Sequence, residues 1–155
     1  RSVDMNTILE QVLKELKLDI DAAGAEITVN PLPTIDAEQP QMQQLFRHLI
    51  SNAVKFRRED AQLIVDVSSV TDGDTVTFYV KDNGMGFEQK YESRIFEIFQ
   101  RLHARHVYEG TGIGLAICRR IADVHGGDIE VDSKPGRGST FAVTLPREQR
   151  FDREQ

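Results

Sequence analysis

Nine of the chain's eleven glycines fall between Gly84 and Gly138, in the second half of a 155-residue sequence. Glycine reaches left-handed backbone angles and lets a ligand or another strand come close, so backbone freedom is concentrated in this half. Two of the clusters are compact boxes, Asp82-Asn83-Gly84-Met85-Gly86-Phe87 and Gly110-Thr111-Gly112-Ile113-Gly114-Leu115. A carboxylate at the head of the first suggests a nucleotide site, with backbone approaching phosphate at one box and the carboxylate meeting a base at the other. Alone, a Gly-x-Gly-x-Gly run is weak evidence, because it serves equally well as a hinge.

The stretches around the boxes alternate between helix and hairpin patterns. Met5, Ile8, Leu9, Val12, Leu13, Leu16 and Ile20 recur at helical spacing, and Ala23-Gly24 ends that helix. Ala25–Val29 and Thr34–Asp36 read as short strands around Asn30-Pro31-Leu32-Pro33. Pro40, whose missing N–H has no partner in a first turn, opens a second helix through Met42, Leu45, Phe46, Leu49, Ile50 and Ala53. Runs at 63–68 and 76–80 flank Asp72-Gly73-Asp74 as an antiparallel hairpin. A third helix is expected from about Gly114 to His125, with Gly126-Gly127 as its left-handed exit. Ile129–Ser133 and Ser139–Leu145 form a second hairpin around residues 134–138. The expected fold is α+β: a two-layer sandwich with a mixed, mostly antiparallel sheet and three main helices on one face. The domain is placed at 1–146, with a charged tail at 147–155 that is expected to fray.

Bulk properties set limits on function. A chain of this length buries roughly 68–70% of its unfolded surface, enough for one real core. A net charge of −6 and a pI near 5.2 argue against a nucleic-acid surface. No apolar run approaches the ~20 residues of a membrane span, and the polar start at Arg1 carries no signal-peptide pattern. A start without methionine fits a piece of something longer. The single Cys118 excludes an internal disulfide and a multi-cysteine zinc site, and reads as a small core residue. His48, His103, His106 and His125 lack ligand spacing to a carboxylate or cysteine, which argues against a histidine metal site.

Several residues are candidates for chemistry. Val76, Phe78 and Val80 share a strand face, and Asp82 continues their parity. A carboxylate aimed at the core needs donors. These come either from its own turn, Asp82-Asn83-Gly84, or from a ligand such as an exocyclic amine. On the second helix His48, Asn52 and Lys55 lie within roughly 60° of one another beside the apolar stripe. An amide carbonyl can ligate Mg²⁺ and a lysine can meet phosphate, although a solvated helix edge has the same pattern. Between the boxes, Ile95, Phe96, Ile98, Phe99 and Leu102 keep helical spacing. Anchored by phenylalanines and hinged by glycines, the segment has the composition of a lid, with Arg101 placed to reach a terminal phosphate.

Taken together, Leu49-Ile50-Ser51-Asn52-Ala53-Val54-Lys55-Phe56, the two glycine boxes, Ile95-Phe96-Glu97-Ile98-Phe99 and Gly136-Arg137-Gly138-Ser139-Thr140-Phe141 resemble the ATP-binding catalytic domain of bacterial sensor histidine kinases. The lid looks closest to the phytochrome-associated kind. The resemblance implies the Bergerat ATP-binding fold with an ATP lid, and assigns roles position by position. Asn52 matches the family's Mg²⁺ ligand, Lys55 its phosphate-contacting lysine and Phe56 the aromatic over adenine. Asp82 matches the acceptor of the adenine amino group, and Gly84 and Gly86 the hinge of the first box. Gly110, Gly112, Gly114 and Leu115 match the phosphate-side box, and Arg101 a lid arginine at the γ-phosphate. Ser139 or Thr140 matches a hydroxyl in a water network at the adenine.

His48 departs from the pattern, standing where these kinases usually carry Asn and where chaperone and topoisomerase ATPases carry a water-activating Glu. Whether it acts as a base or only hydrogen-bonds locally stays open at this level. None of the four histidines has the setting of the family's phosphoacceptor, which lies in a separate dimerisation domain. The resemblance therefore implies a cytoplasmic domain that binds Mg²⁺ and ATP and transfers the γ-phosphoryl group to a histidine on that other domain. A response regulator is an indirect partner, and neither nucleic acid nor membrane is contacted. The rival readings are a Bergerat-fold ATPase clamp, a serine protein kinase of the anti-sigma type and a non-catalytic nucleotide sensor.

Overall fold

The computed structural model describes residues 1–94, 96 and 111–149. The chain opens with a short strand, β1 (Ser2–Asp4), and a helix, α1 (Met5–Glu15), whose first turn is capped by the Asp4 carboxylate accepting from the Asn6 N–H at 2.9 Å. Met5, Ile8, Leu9 and Val12 form its buried stripe. The single first helix expected from the sequence is broken at Leu16, where φ −97° and ψ 9° leave the helical region. A second helix, α2 (Lys17–Ala23), follows and contributes no fully buried side chain, then stops at Gly24 in the left-handed conformation. Leu16 itself is buried, so the bend turns the inward residue of the last turn of α1 into the core and frees α2 to lie on the surface.

The two short strands predicted after this point do not pair with each other. β2 (Glu26–Val29) joins the main sheet, whereas β3 (Thr34–Asp36) pairs antiparallel with β1 in a separate two-stranded ribbon. Helix α3 (Gln39–Lys55) carries Pro40 in its first turn, as expected, and buries Met42, Leu45, Phe46, Leu49, Ile50, Asn52, Ala53 and Val54. β4 (Ile64–Asp72) and β5 (Thr75–Asp82) form the first hairpin, with Gly73 at φ +61° in its tight turn. A 3₁₀ segment (Gln89–Arg94) comes next, then helix α4 (Thr111–Val124) and the second hairpin, β6 (Asp128–Lys134) with β7 (Gly138–Pro146).

The five-stranded sheet has the order β2-β4-β5-β7-β6, and only the β2–β4 pair is parallel. Its inward face is built in rungs. Val67, Val80, Phe141 and Val131 lie opposite one another across four strands and are all buried. Helices α1, α3 and α4 cover this face, and Phe46 of α3 meets Phe78 edge to face with centroids 5.7 Å apart. This is the expected two-layer sandwich. Residues 147–149 do not fray: the Arg147 N–H donates to Asp74 O at 2.8 Å, and the Gln149 side chain donates to His125 O at 2.9 Å. The β4–β5 turn, Asp36 of β3 and the residue after α4 thus hold the chain beyond β7; residues 150–155 lie outside the described part.

Candidate nucleotide site

One rung beyond the apolar rows, the inward face turns polar. Val65, Asp82, Ser139 and Ser133 are register partners across β4, β5, β7 and β6, and three of the four carry oxygen. Oδ1 of Asp82 accepts two backbone N–H groups, from Gly84 at 2.8 Å and from Ser139 at 3.3 Å, and neither bond uses Oδ2. Of the two readings of Asp82, the structure shows the local one: its Oδ1 bonds its own turn at Gly84. Burial pushes its carboxyl up to about 6, against the opposing pull of those two N–H donors.

The loop after Asp82 is locked by backbone. Asn83 closes the end of the sheet, accepting from the Ile64 N–H at 2.8 Å and donating to Gln62 O at 2.9 Å. The Met85 N–H donates to Phe56 O at 2.9 Å, joining the loop to the end of α3, and Met85 O accepts from the Gly136 N–H at 2.7 Å. Arg58 completes the clasp by donating to Gly136 O at 2.5 Å. Glycine is required where these segments touch. A Cβ on Gly84 would sit 2.7 Å from Phe56 O, and one on Gly86, at φ +66°, would collide with the Lys134 carbonyl. The Phe56 ring is buried beside this junction.

The trio on α3 is graded by depth. Asn52 is 7% exposed and its Oδ1 has no hydrogen-bond partner among the described residues, His48 is half-buried and Lys55 is exposed. A buried amide oxygen left unpaired costs about 1–3 kcal/mol, a cost removed by a cation or ligand donor. The His48 ring lies against the first turn of α4: a Cβ on Gly114 would fall 2.9 Å from its Nδ1. Desolvation, followed by the charges of Arg47 and Lys55, lowers the His48 pKa and keeps the ring neutral near pH 7. Gly112 lies in that same first turn, while Leu115 turns into the core. The first turn of helix α4 therefore lies beside His48, with the positive end of the helix dipole on that side.

The two candidate hydroxyls lie on opposite strand faces. Ser139 shares the inward face with Asp82, while Thr140 pairs with Lys81 and Asp132 on the opposite face; a hollow of about 290 Å³ at this end of the sheet is lined by residues of both sets, Asp82, Ser133 and Ser139 as well as Lys81, Asp132 and Thr140. Arg101, Gly110 and most of the predicted lid lie outside the described residues. At the edges of that segment, Phe96 is buried edge to face with Phe141 at 6.1 Å, under the Arg119 guanidinium. Two residues bonded to this rung escaped the sequence reading. Ser133 Oγ accepts from the Phe87 N–H at 2.9 Å and lies 2.7 Å from Ser139 Oγ, and the Ser133 N–H donates to Glu92 Oε2 at 2.8 Å. The signal was present for Ser133, which continues the inward parity of Ile129 and Val131 as Asp82 continues that of Val80. Nothing in sequence marked Glu92.

Among the described residues no three His, Cys, Asp or Glu side chains cluster as a metal site. The polar rung, the glycine clasp and His48 beside the start of α4 all belong to one helix-covered mixed sheet. Residues 37–149 match the family described as histidine kinase-, DNA gyrase B- and HSP90-like ATPases, and the chain belongs to that family. Within it, the chain is similar to histidine kinases of the phytochrome type. It is 46% identical over 143 residues to cyanobacterial phytochrome A of Nostoc sp. strain PCC 7120, covering 92% of this chain and 19% of that protein. Full-length ShkA, solved with AMPPNP, is 32% identical with a TM-score of 0.79, over 97% of this chain and 31% of that one. The catalytic domain of the histidine kinase ThkA shares the fold with a TM-score of 0.79 at 21% identity, over 97% and 98% of the two chains. The chain thus spans about a fifth of the length of its phytochrome relative. No helix among the described residues is long and apolar enough to cross a membrane.

Proposed function

We propose that this domain binds Mg²⁺ and ATP and, within a longer cytoplasmic kinase, transfers the γ-phosphoryl group to a histidine on a separate dimerisation domain, from which a response regulator is served. The observation that carries the reading is Asn52 Oδ1, a buried carbonyl oxygen without a hydrogen-bond partner among the described residues, on the helix that also presents His48 and Lys55. An oxygen of this kind fits a hard cation, and Asn52 is the residue that would hold it. Mg²⁺, when bound, neutralises phosphate charge during transfer.

The chain's own residues do the rest. Asp82 offers Oδ2 to the adenine amino group, with Oδ1 held by Gly84 and Ser139. The clasp of Phe56, Met85, Gly136 and Arg58 keeps that wall fixed before ligand arrives, and preorganisation of this kind favours transfer by positioning. Lys55 supplies a point charge at the phosphate end and the first turn of α4 supplies N–H donors. His48 presents a neutral imidazole beside them, able to accept a hydrogen bond where a cation could not. Arg101, from the lid, is assigned to the γ-phosphate, and Ser139 rather than Thr140 to the base. The absence of Glu at position 48 disfavours an ATPase clamp.

Isothermal titration with ATP and Mg²⁺ tests the site: Asp82→Ala should abolish binding, and retained wild-type affinity overturns the assignment. Mixing the chain with the dimerisation domain of its own parent protein tests the reaction. Acid-labile phosphate should appear on that domain and not on this chain. Acid-stable phosphate on serine would instead support the anti-sigma reading.

A further inference from the structure

The polar rung contains more hydroxyl than the assigned chemistry uses. Ser133 is 2% exposed, lies on β6 away from α3, and has no role in the reading above. Its Oγ has three neighbours: the Phe87 N–H at 2.9 Å, Gly138 O at 3.1 Å and Ser139 Oγ at 2.7 Å. A serine hydroxyl has one proton and two lone pairs. Phe87 can only donate and Gly138 O can only accept, so the Ser133 proton goes to Gly138 and one lone pair goes to Phe87. The contact with Ser139 is then a bond only if Ser139 donates. Ser133 Oγ is thereby saturated, and the Ser139 hydroxyl has spent its proton inward.

This fixes the polarity of the base end. Ser139 Oγ is then left with lone pairs alone, on the same rung as a carboxylate whose Oδ2 also only accepts when ionised. We propose that Ser133 is a specificity-determining positioning residue: by taking the Ser139 proton it makes the base pocket a double acceptor, which selects an exocyclic amino group, with two hydrogens to give, over a carbonyl oxygen. The Ser133 backbone is held in turn by Glu92, at the start of the segment that leads into the lid. The inference rests on the nucleotide-binding reading and adds to it the source of base selectivity.

Without Ser133, the Ser139 hydroxyl turns, and its proton competes for Asp82. The loss should then be confined to ligands carrying the amine. The test compares ATP with purine riboside triphosphate, which lacks the amine but keeps the ring and phosphates, by titration on wild type and Ser133→Ala. The variant should lose ~3–10-fold in affinity for ATP, the worth of one hydrogen bond, and less than about 2-fold for the analogue. Equal losses for both nucleotides, the mark of a merely structural residue, overturn the inference, as does no loss for ATP. If the alanine variant does not fold, Ser133→Cys keeps the volume with a weak donor and acceptor, and the same two outcomes decide. Failure of the wild type to bind ATP would overturn the nucleotide-binding reading itself, and is seen before any variant is made.

Discussion

Replacing Asp82 by Asn should make the protein more stable and less useful at once. The carboxyl is shifted from 3.8 to about 6 by burial, a displacement of about 2 units. At 1.36 kcal/mol per unit, the ionised carboxylate costs the ligand-free fold up to about 3 kcal/mol. The sign follows from the folded pKa lying above the unfolded one: protonation favours the fold, fully below pH ~4, and this contribution is lost as pH rises through about 6. Asparagine keeps an oxygen for the Gly84 and Ser139 N–H groups and carries no charge at any pH. At pH 8 the variant should therefore exceed wild type by up to about 3 kcal/mol, which for a domain of this size is an upward shift of ~6–12 °C in midpoint. The gap should close towards pH 4. Urea unfolding of both proteins from pH 4 to 8 measures it, with ATP added in a parallel series. A variant less stable than wild type at pH 8, or a gap that ignores pH, refutes the burial argument. ATP should stabilise only the wild type, since the amide presents an N–H₂ where the amino group of adenine must donate.

Three further outcomes follow from packing. Gly114→Ala should destabilise by about 1–3 kcal/mol, because its Cβ would press on His48 Nδ1, and adding His48→Ala should recover at least ~0.5 kcal/mol of coupling in a double-mutant cycle by denaturant titration. Cys118, fully buried with its thiol pushed up to about 12, should resist aromatic disulfide reagents in the native state and react within the unfolding transition; fast native labelling would contradict its burial. Ending the chain at Pro146 removes the bonds made by Arg147 and Gln149 and should lower stability by about 1–3 kcal/mol, read from the shift in urea midpoint, whereas a freely fraying tail would leave it unchanged.

What sequence reveals here tracks how local the cause is. Helices α1, α3 and α4 and both hairpins are legible because periodicity, Pro40 and the turn glycines lie within the elements themselves. Strand β1 is not, since three residues carry no period and its partner β3 is some thirty residues away. The bend at Leu16 follows from what α1 covers, which no local pattern encodes, and β2 takes a parallel neighbour that only the assembled sheet provides. At the site, Asp82 is visible as a charge on an apolar parity. Ser133 has the same signature and is easily passed over, because a serine at the end of a strand is unremarkable until its partners are known. The Ser139 and Thr140 alternatives differ by one residue, which in a strand is the difference between two faces.

The order of the strands bears on when the protein becomes competent during synthesis. β7, which follows β6 in the chain, enters between β5 and β6 rather than at an edge. Until it arrives, Asp82 lacks the Ser139 N–H, and the Gly84–Met85 loop lacks the Gly136 half of its clasp. A nascent chain that has already made both glycine boxes still has an Asp82 carboxylate short of one of its two N–H donors. The bonds around Asp82 are thereby tied to translation of nearly the whole domain.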